Sequence, residues 1–209
     1  MDFIKQLING LQIGSIYALV SLGYTMVYGI VKLINFAHGD IIMVGAYIAF
    51  ISLPVLSSMG LPVWLAVVPA IVFCAVTGIL IEKIAYRPMR NSARISSLIT
   101  AIGVSLLLQN AFMLIFSPNP RAFETVFSTT PIQIGELNIN ISTIITILVS
   151  IVLMVSLQLF ITKTKAGKGM VAVSEDFSAA QLVGINVDNI ISMTFAIGSS
   201  LAAVASILY

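Results

Sequence analysis

The sequence predicts an all-α protein, a polytopic transmembrane helix bundle forming one domain over residues 1–209. Three observations support this fold class. The chain is 59% hydrophobic and only 9% charged, whereas soluble domains are roughly 45–50% apolar and about 25% charged. Several apolar runs are long enough to cross about 30 Å of hydrocarbon. The cationic residues lie at the ends of these runs, which is typical of membrane proteins.

Six apolar runs are predicted to span the membrane. They cover residues 7–31, 41–56, 61–81, 98–116, 141–161 and 191–209. The first run is much longer than the apolar region of a signal peptide, so we expect it to be retained as a span. The last run reaches Tyr209 without a polar flank, and we expect the domain to be incomplete at its C-terminus.

Basic residues in the loop 82–97 set the predicted topology. The loop contains one acid against Lys83, Arg87, Arg90 and Arg94, so the positive-inside rule places it in the cytoplasm. Counting spans then places 162–190 in the cytoplasm too, and its lysines agree. The segment 117–140 has no basic excess, so we expect it outside, with a small hairpin around 133–137. The same count puts the N-terminus outside, unless the chain re-enters the bundle near Asn35.

Polar residues interrupt the apolar pattern between the first two predicted spans. Asn35, His38 and Asp40 lie within nine residues that begin at Lys32. If this segment is deep, the helix is broken there, as in helices that line a substrate path. If it is shallow, it is a loop and His38 is solvated. Periodicity does not fix depth, so both interpretations stay open.

Two amides lie inside the fourth predicted span. Gln109 and Asn110 are costly against lipid, so we expect them to face the bundle or a pore. They either form hydrogen bonds between helices or contact a transported substrate. Together with Asn35 and His38, they are our candidates for a pathway or its gate.

A short helix is predicted within the loop 162–190. Ser174 can be its N-cap, Glu175 and Asp176 would then occupy the favourable first turn, and Gly184 is a natural C-terminal stop. Such a helix has roughly nine residues and is about 14 Å long, too short to span a bilayer. It is either a surface that a partner binds or a solvated connector.

Several function classes find no support. The sequence has no HExxH, P-loop, GxSxG or Cys/His cluster, so we expect no catalytic residue and no nucleotide site. One histidine and one cysteine leave little for a metal, and we expect neither metal nor cofactor. The net charge of +2 does not indicate nucleic acid.

An ion-coupled transporter or channel would need ionisable groups in mid-membrane, which only His38 and Asp40 could supply. A membrane enzyme acting on lipid would need a catalytic constellation at the interface.

Four stretches together resemble the branched-chain amino acid ABC permease family. The run 165–176, continued by Ala179-Ala180 and 184–187, resembles the family's cytoplasmic coupling loop. The other matches, in order and at suitable spacing, are 35–40, then 85–90 with 98–105 and 109–110, and finally 194–198. The resemblance implies a permease subunit of a binding-protein-dependent importer, which is not itself an enzyme. It also implies the inner (plasma) membrane of a bacterium or archaeon.

The resemblance further implies partners and a substrate. ATP-binding subunits would dock on the coupling loop, a related or identical second permease would complete the pathway, and a periplasmic or extracellular solute-binding protein would deliver the solute. The implied docking residues are Gly167, Ser174, Glu175, Asp176, Ala179, Ala180 and Gly184. The expected solute is leucine, isoleucine or valine, with another small solute such as urea as the alternative. Val171 and Gln181 replace residues that are often basic in the family, and Phe177 replaces a frequent proline.

Overall fold

The computed structural model describes residues 2–90, 92–119, 126, 131–134 and 137–209. Helices account for most of this part of the chain, so the predicted all-α class is confirmed. The helices are α1 (Asp2–Val31), α2 (His38–Ser58), α3 (Val67–Ile81), α4 (Arg87–Met89), α5 (Arg94–Phe116), α6 (Ile141–Lys163), α7 (Lys165–Glu175), α8 (Phe177–Leu182) and α9 (Val187–Leu208). A 3₁₀ turn, Val63–Ala66, precedes α3, and a π-helical turn, Glu82–Tyr86, follows it.

Six helical segments of the described chain are long and apolar enough to cross a membrane. They are Phe3–Val31, His38–Ser58, Val63–Met89, Ile95–Phe116, Ile141–Lys163 and Val187–Leu208. Each contains one of the six predicted runs, or most of it. Continuous hydrophobicity over about twenty residues is a strong signal, because few other structures can bury it. The chain is therefore a multi-pass membrane protein.

The central element of the bundle is α9. It packs on α1, α2 and α3, and 72% of its apolar 18-residue stretch is buried. Glycines make these crossings close. A Cβ atom on Gly23 of α1 would lie 2.8 Å from the carbonyl oxygen of Gly198, and one on Gly45 of α2 would lie 2.7 Å from Ser206 Oγ. Small residues let neighbouring helix backbones approach in this way.

A polar stripe joins α6 to α1. Thr143, Thr146 and Ser150 are all buried on one face of α6, at the spacing that aligns side chains along a helix. The Thr143 hydroxyl donates a hydrogen bond to Gln12 Oε1, 2.7 Å away. In contrast, only 6% of the corresponding 18-residue stretch of α5 is buried. The outer surface of α5 is therefore left for lipid or another chain.

The hairpin predicted around residue 133 is present. Strands β1 (Pro131–Ile134) and β2 (Leu137–Asn140) pair antiparallel, with Ile134 opposite Leu137. The residues of its turn, and most of the segment 117–130, lie outside the described part of the chain. The hairpin is a small addition to the helical bundle.

The predicted start of the short surface helix is wrong, because two helices occupy the segment. The first, α7, begins after Thr164, whose Oγ1 accepts a hydrogen bond from the Gly167 amide at 3.0 Å. It continues through Glu175, so Ser174 lies inside α7 and its hydroxyl donates to the Val171 carbonyl at 2.7 Å. Glu175 is thus at the end of one helix, not in the first turn of another.

Asp176, not Ser174, is the N-cap of α8. Its Oδ1 accepts hydrogen bonds from the amides of Ser178, at 2.7 Å, and Ala179, at 3.0 Å. Aspartate and serine are equally good N-caps, and the sequence pattern did not distinguish them. The predicted stop at Gly184 is confirmed by its φ of +84°, which glycine adopts without steric cost. The Ile185 amide then donates to the Ala180 carbonyl at 3.0 Å, which satisfies an acceptor at the end of the helix.

Candidate functional site

The chain between α1 and α2 re-enters the bundle. After Val31, Lys32 adopts a φ of 57°, and the following residues are irregular until α2 begins at His38. The His38 ring packs edge-on against Tyr24, with centroids 5.8 Å apart, and lies against Gly23. Gly23 is two turns, about 12 Å, back along α1 from its end. The deep interpretation of this segment is therefore the correct one.

Asn35 joins the re-entrant segment to the rest of the bundle. It is buried, and its Oδ1 accepts a hydrogen bond from the Tyr86 hydroxyl at 3.0 Å. The Tyr86 ring in turn packs on Phe195 of α9, with centroids 5.3 Å apart. The Asn35 carbonyl accepts a hydrogen bond from the His38 amide at 3.1 Å. As a result, Asn35 fixes where α2 starts.

His38 and Asp40 do not form a common site. His38 is only 2% exposed, and its Nε2 has no hydrogen-bond partner among the described residues. Asp40 follows two residues later, about 200° around the helix, and faces α5 instead of α1. The structure therefore offers no acid–base pair here.

Asp40 and Gln109 meet between α2 and α5. Gln109 Nε2 donates to Asp40 Oδ1 at 2.9 Å and to Ser105 Oγ at 3.2 Å. Asp40 is 8% exposed, and its Oδ2 has no partner in the part of the chain that the structure describes. The other predicted amide, Asn110, is exposed and donates to the Leu106 carbonyl of its own helix at 2.7 Å. It does not join Gln109.

Aromatic rings continue the same contact between α2 and α5. The Tyr47 ring stacks on Phe116, with centroids 4.4 Å apart, and tilts against Phe112 at 5.4 Å. Asp40, Gln109 and these three rings form what we call the α2–α5 seam. The seam thus places a carboxylate beside an apolar wall. Sequence reasoning selected Gln109 but left Asp40 out of the pathway set, because the two residues meet only in the folded bundle.

A charged network joins the loop after α3 to the start of α9. Glu82 is fully buried, and its carboxylate accepts from the Arg90 guanidinium and, at 2.6 Å, from the Ser192 hydroxyl. Arg90 Nη1 also lies 2.5 Å from Asp188 Oδ1, and Arg87 pairs with the same carboxylate. We call these five side chains the Glu82 network. In the sequence, the arginines indicate only topology, and the signal for the network is Glu82, the one acid in a basic loop.

The predicted docking residues differ in exposure. Glu175, Asp176, Ala179 and Gly184 are exposed, Ser174 is partly buried, and Gly167 and Ala180 are buried. A Cβ atom on Gly167 would collide with the backbone at the end of α6. Gly167 therefore allows α7 to seat against α6.

Large apolar side chains are exposed on α8 and just after it. Leu182 is 88% exposed and Val183 76% exposed, and Phe177 is also exposed. These residues lie outside the six apolar segments. We call them, with Glu175 and Asp176, the α8 surface. Among the described residues, no group of three His, Cys, Asp or Glu side chains could hold a metal ion.

The fold and these sites define a multi-pass membrane protein with polar groups buried between its spans and a helical segment outside them. The chain belongs to the family described as the permease component of the branched-chain amino acid transport system, which matches residues 6–209. The predicted family is confirmed, and the chain is a transport permease subunit.

Curated relatives agree with this family. The chain is 43% identical over 216 residues to the high-affinity branched-chain amino acid transport system permease protein BraD of Pseudomonas aeruginosa, covering 99% of this chain and 70% of the relative. It is 41% identical over 215 residues to LivH of Escherichia coli, with the same coverage. A probable LivH of Methanocaldococcus jannaschii is 28% identical over 207 residues, covering 96% of this chain and 64% of the relative. No solved structure matches the chain.

Proposed function

We propose that this chain forms part of the membrane pathway of an ATP-driven importer for leucine, isoleucine and valine. A second permease subunit completes the pathway, and ATP hydrolysis occurs on separate ATP-binding subunits. A solute-binding protein delivers the amino acid on the outer side of the inner (plasma) membrane. The curated relatives, which are permeases of branched-chain amino acid transport systems, support this assignment.

The α8 surface is the observation that carries the proposal. Exposed apolar groups outside the spans mark a protein interaction site, and here they stand beside two carboxylates. The surface lies between α6 and α9 in the chain. A partner that binds it contacts the segment of the chain that connects α6 to the central helix α9.

The local structure suits the transmission of force. Thr164 caps α7, Asp176 caps α8, and Gly184 turns the chain towards α9. Capped helices resist fraying at their ends, so the segment can act as a rigid unit. Movement of the ATP-binding subunits would displace α8, and the displacement would reach α9 within a few residues. Since α9 packs on three other spans, its displacement would change how they surround the pathway.

Site-specific crosslinking tests this proposal. The buried Cys74, whose thiol donates to the Ile41 carbonyl at 3.5 Å, is first replaced by Ala. Single cysteines are then placed at Leu182, Val183 and Ala179 in membranes that also contain the ATP-binding subunit of the importer. We expect crosslinks to that subunit whose yield changes with ATP.

The control is a cysteine at Met59, which is exposed and follows the last residue of α2. It should give no crosslink to the ATP-binding subunit. Normal expression without a crosslink from any of the three positions would leave α7 and α8 as a connector, and the proposed coupling would be wrong.

A further inference from the structure

We propose that Asp40, oriented by Gln109, binds the ammonium group of the transported amino acid. This inference rests on the proposed function, because it names the group that recognises the substrate within the pathway. A carboxylate inside a span is costly and indicates a function, usually with an identifiable partner. Asp40 is only partly paired, since Gln109 donates to Oδ1 while the buried Oδ2 has no partner among the described residues.

The described chain supplies no positive charge to Asp40. Each of the three ion pairs in the described part of the chain involves Arg87 or Arg90, and none involves Asp40. A neutral amide donor therefore holds one oxygen of Asp40 while the other remains without a donor. A small cation with several N–H donors complements that oxygen, and an ammonium group has three of them.

The rest of the seam suits an aliphatic side chain. Phe112 follows Gln109 within one turn, and Tyr47 and Phe116 lie about 10 Å further along their helices. The three rings contact each other and form an apolar wall in line with the carboxylate. Binding sites for small molecules combine such apolar walls with few, well-placed polar groups. A branched-chain amino acid has both features, a cationic end and an apolar end.

The seam also borders the exposed surface of the described bundle. Gln109 is exposed although it lies well inside the span of α5, and a polar side chain there faces water or protein and not lipid. Gly39, next to Asp40, is exposed as well. The buried carboxylate thus contacts one exposed residue, Gln109, and is adjacent in sequence to another, Gly39.

The test uses the complete importer in proteoliposomes, containing both permeases, the ATP-binding subunits and the binding protein. Initial leucine uptake and ATP hydrolysis are measured separately for Asp40→Asn, Asp40→Glu and wild type. We expect Asp40→Asn to lower uptake about tenfold or more, the effect of losing one charge-assisted hydrogen bond. ATP hydrolysis stimulated by the loaded binding protein should stay near the wild-type rate. Asp40→Glu, which keeps the charge, should retain part of the uptake.

Thr77→Val is the matched control. The Thr77 hydroxyl donates to the Phe73 carbonyl of its own helix at 2.8 Å, so its removal should change neither uptake nor hydrolysis. A diazirine analogue of leucine gives a direct readout. It should label the peptides that carry Tyr47 or Phe112 in wild type but not in Asp40→Asn.

Two results would overturn the inference. One is Asp40→Asn uptake and labelling close to wild type. The other is loss of uptake together with loss of stimulated hydrolysis, which would make Asp40 a structural residue. Failure of the proposed function has a different signature, since the wild-type importer would then hydrolyse ATP in response to the binding protein without taking up leucine.

Discussion

Glu82 and Arg90 form an ion pair in which the carboxylate is fully buried and the guanidinium side chain is 17% exposed. The pair connects the π-helical turn after α3 to the loop that follows, and Arg90 extends the connection to Asp188 in the first turn of α9. The Ser192 hydroxyl supplies a second donor to Glu82. A buried carboxylate with this many partners depends on each of them.

Replacing Arg90 with Met should destabilise the protein by about 3–5 kcal/mol, because the buried Glu82 charge loses its compensation. Thermal unfolding in detergent micelles measures the effect. Arg87→Met is the control, since Arg87 pairs with Asp188 while both side chains are more than 40% exposed. Solvent screens such a pair, and its loss should cost about 0–1 kcal/mol. Equal destabilisation by the two variants would contradict the assigned role of Glu82.

Gly23→Ala should destabilise the crossing of α1 and α9. The new methyl group would lie 2.8 Å from the Gly198 carbonyl oxygen, and overpacking of this kind costs about 1–3 kcal/mol. Gly103→Ala on α5 is the control, since nothing lies within 4 Å of the added atom. It should stabilise the helix by about 0.5–1 kcal/mol. The two variants are compared by their melting temperatures in the same detergent.

Asp176→Ala should remove the cap of α8 at a cost of about 1 kcal/mol of helix stability. The amides of Ser178 and Ala179 lose their acceptor, so their hydrogen exchange should become faster. Ser174→Ala should leave this exchange unchanged, because Ser174 donates only to the Val171 carbonyl within α7. Faster exchange in Ser174→Ala instead would support Ser174 as the N-cap, as expected from the sequence.

Tyr86→Phe should destabilise the protein by about 1–3 kcal/mol, because the buried Asn35 Oδ1 is left without a donor. The ring contact with Phe195 is retained, so the variant isolates the hydroxyl group. Tyr17→Phe is the control, since Tyr17 is exposed on α1. Its melting temperature should match wild type, and a similar loss in both variants would argue against the Tyr86–Asn35 hydrogen bond.

The features that the sequence predicted are local ones. Hydropathy located all six spans, because each run is apolar over its own length. The stop at Gly184 was also predicted, since only glycine adopts its backbone conformation freely. The N-cap of α8 was missed because Ser174 and Asp176 are both good caps.

The features that the sequence could not predict are long-range pairs. Asp40 meets Gln109, and Glu82 meets Ser192, only after distant helices have packed. The depth of His38 likewise follows from its contact with Gly23 on another helix. Hydrophobic periodicity reports the environment of each element but not its neighbour, so these contacts required the folded bundle.

The close approach of Gly198 to Gly23 places a point of contact near the middle of α9, about which the helix could pivot. Gly198 lies near the midpoint of α9, with about 15 Å of helix on either side. If the glycine contact acts as the fulcrum, tilting the end beside α8 moves the opposite end by a similar distance in the opposite direction. One side of the bundle then narrows as the other widens.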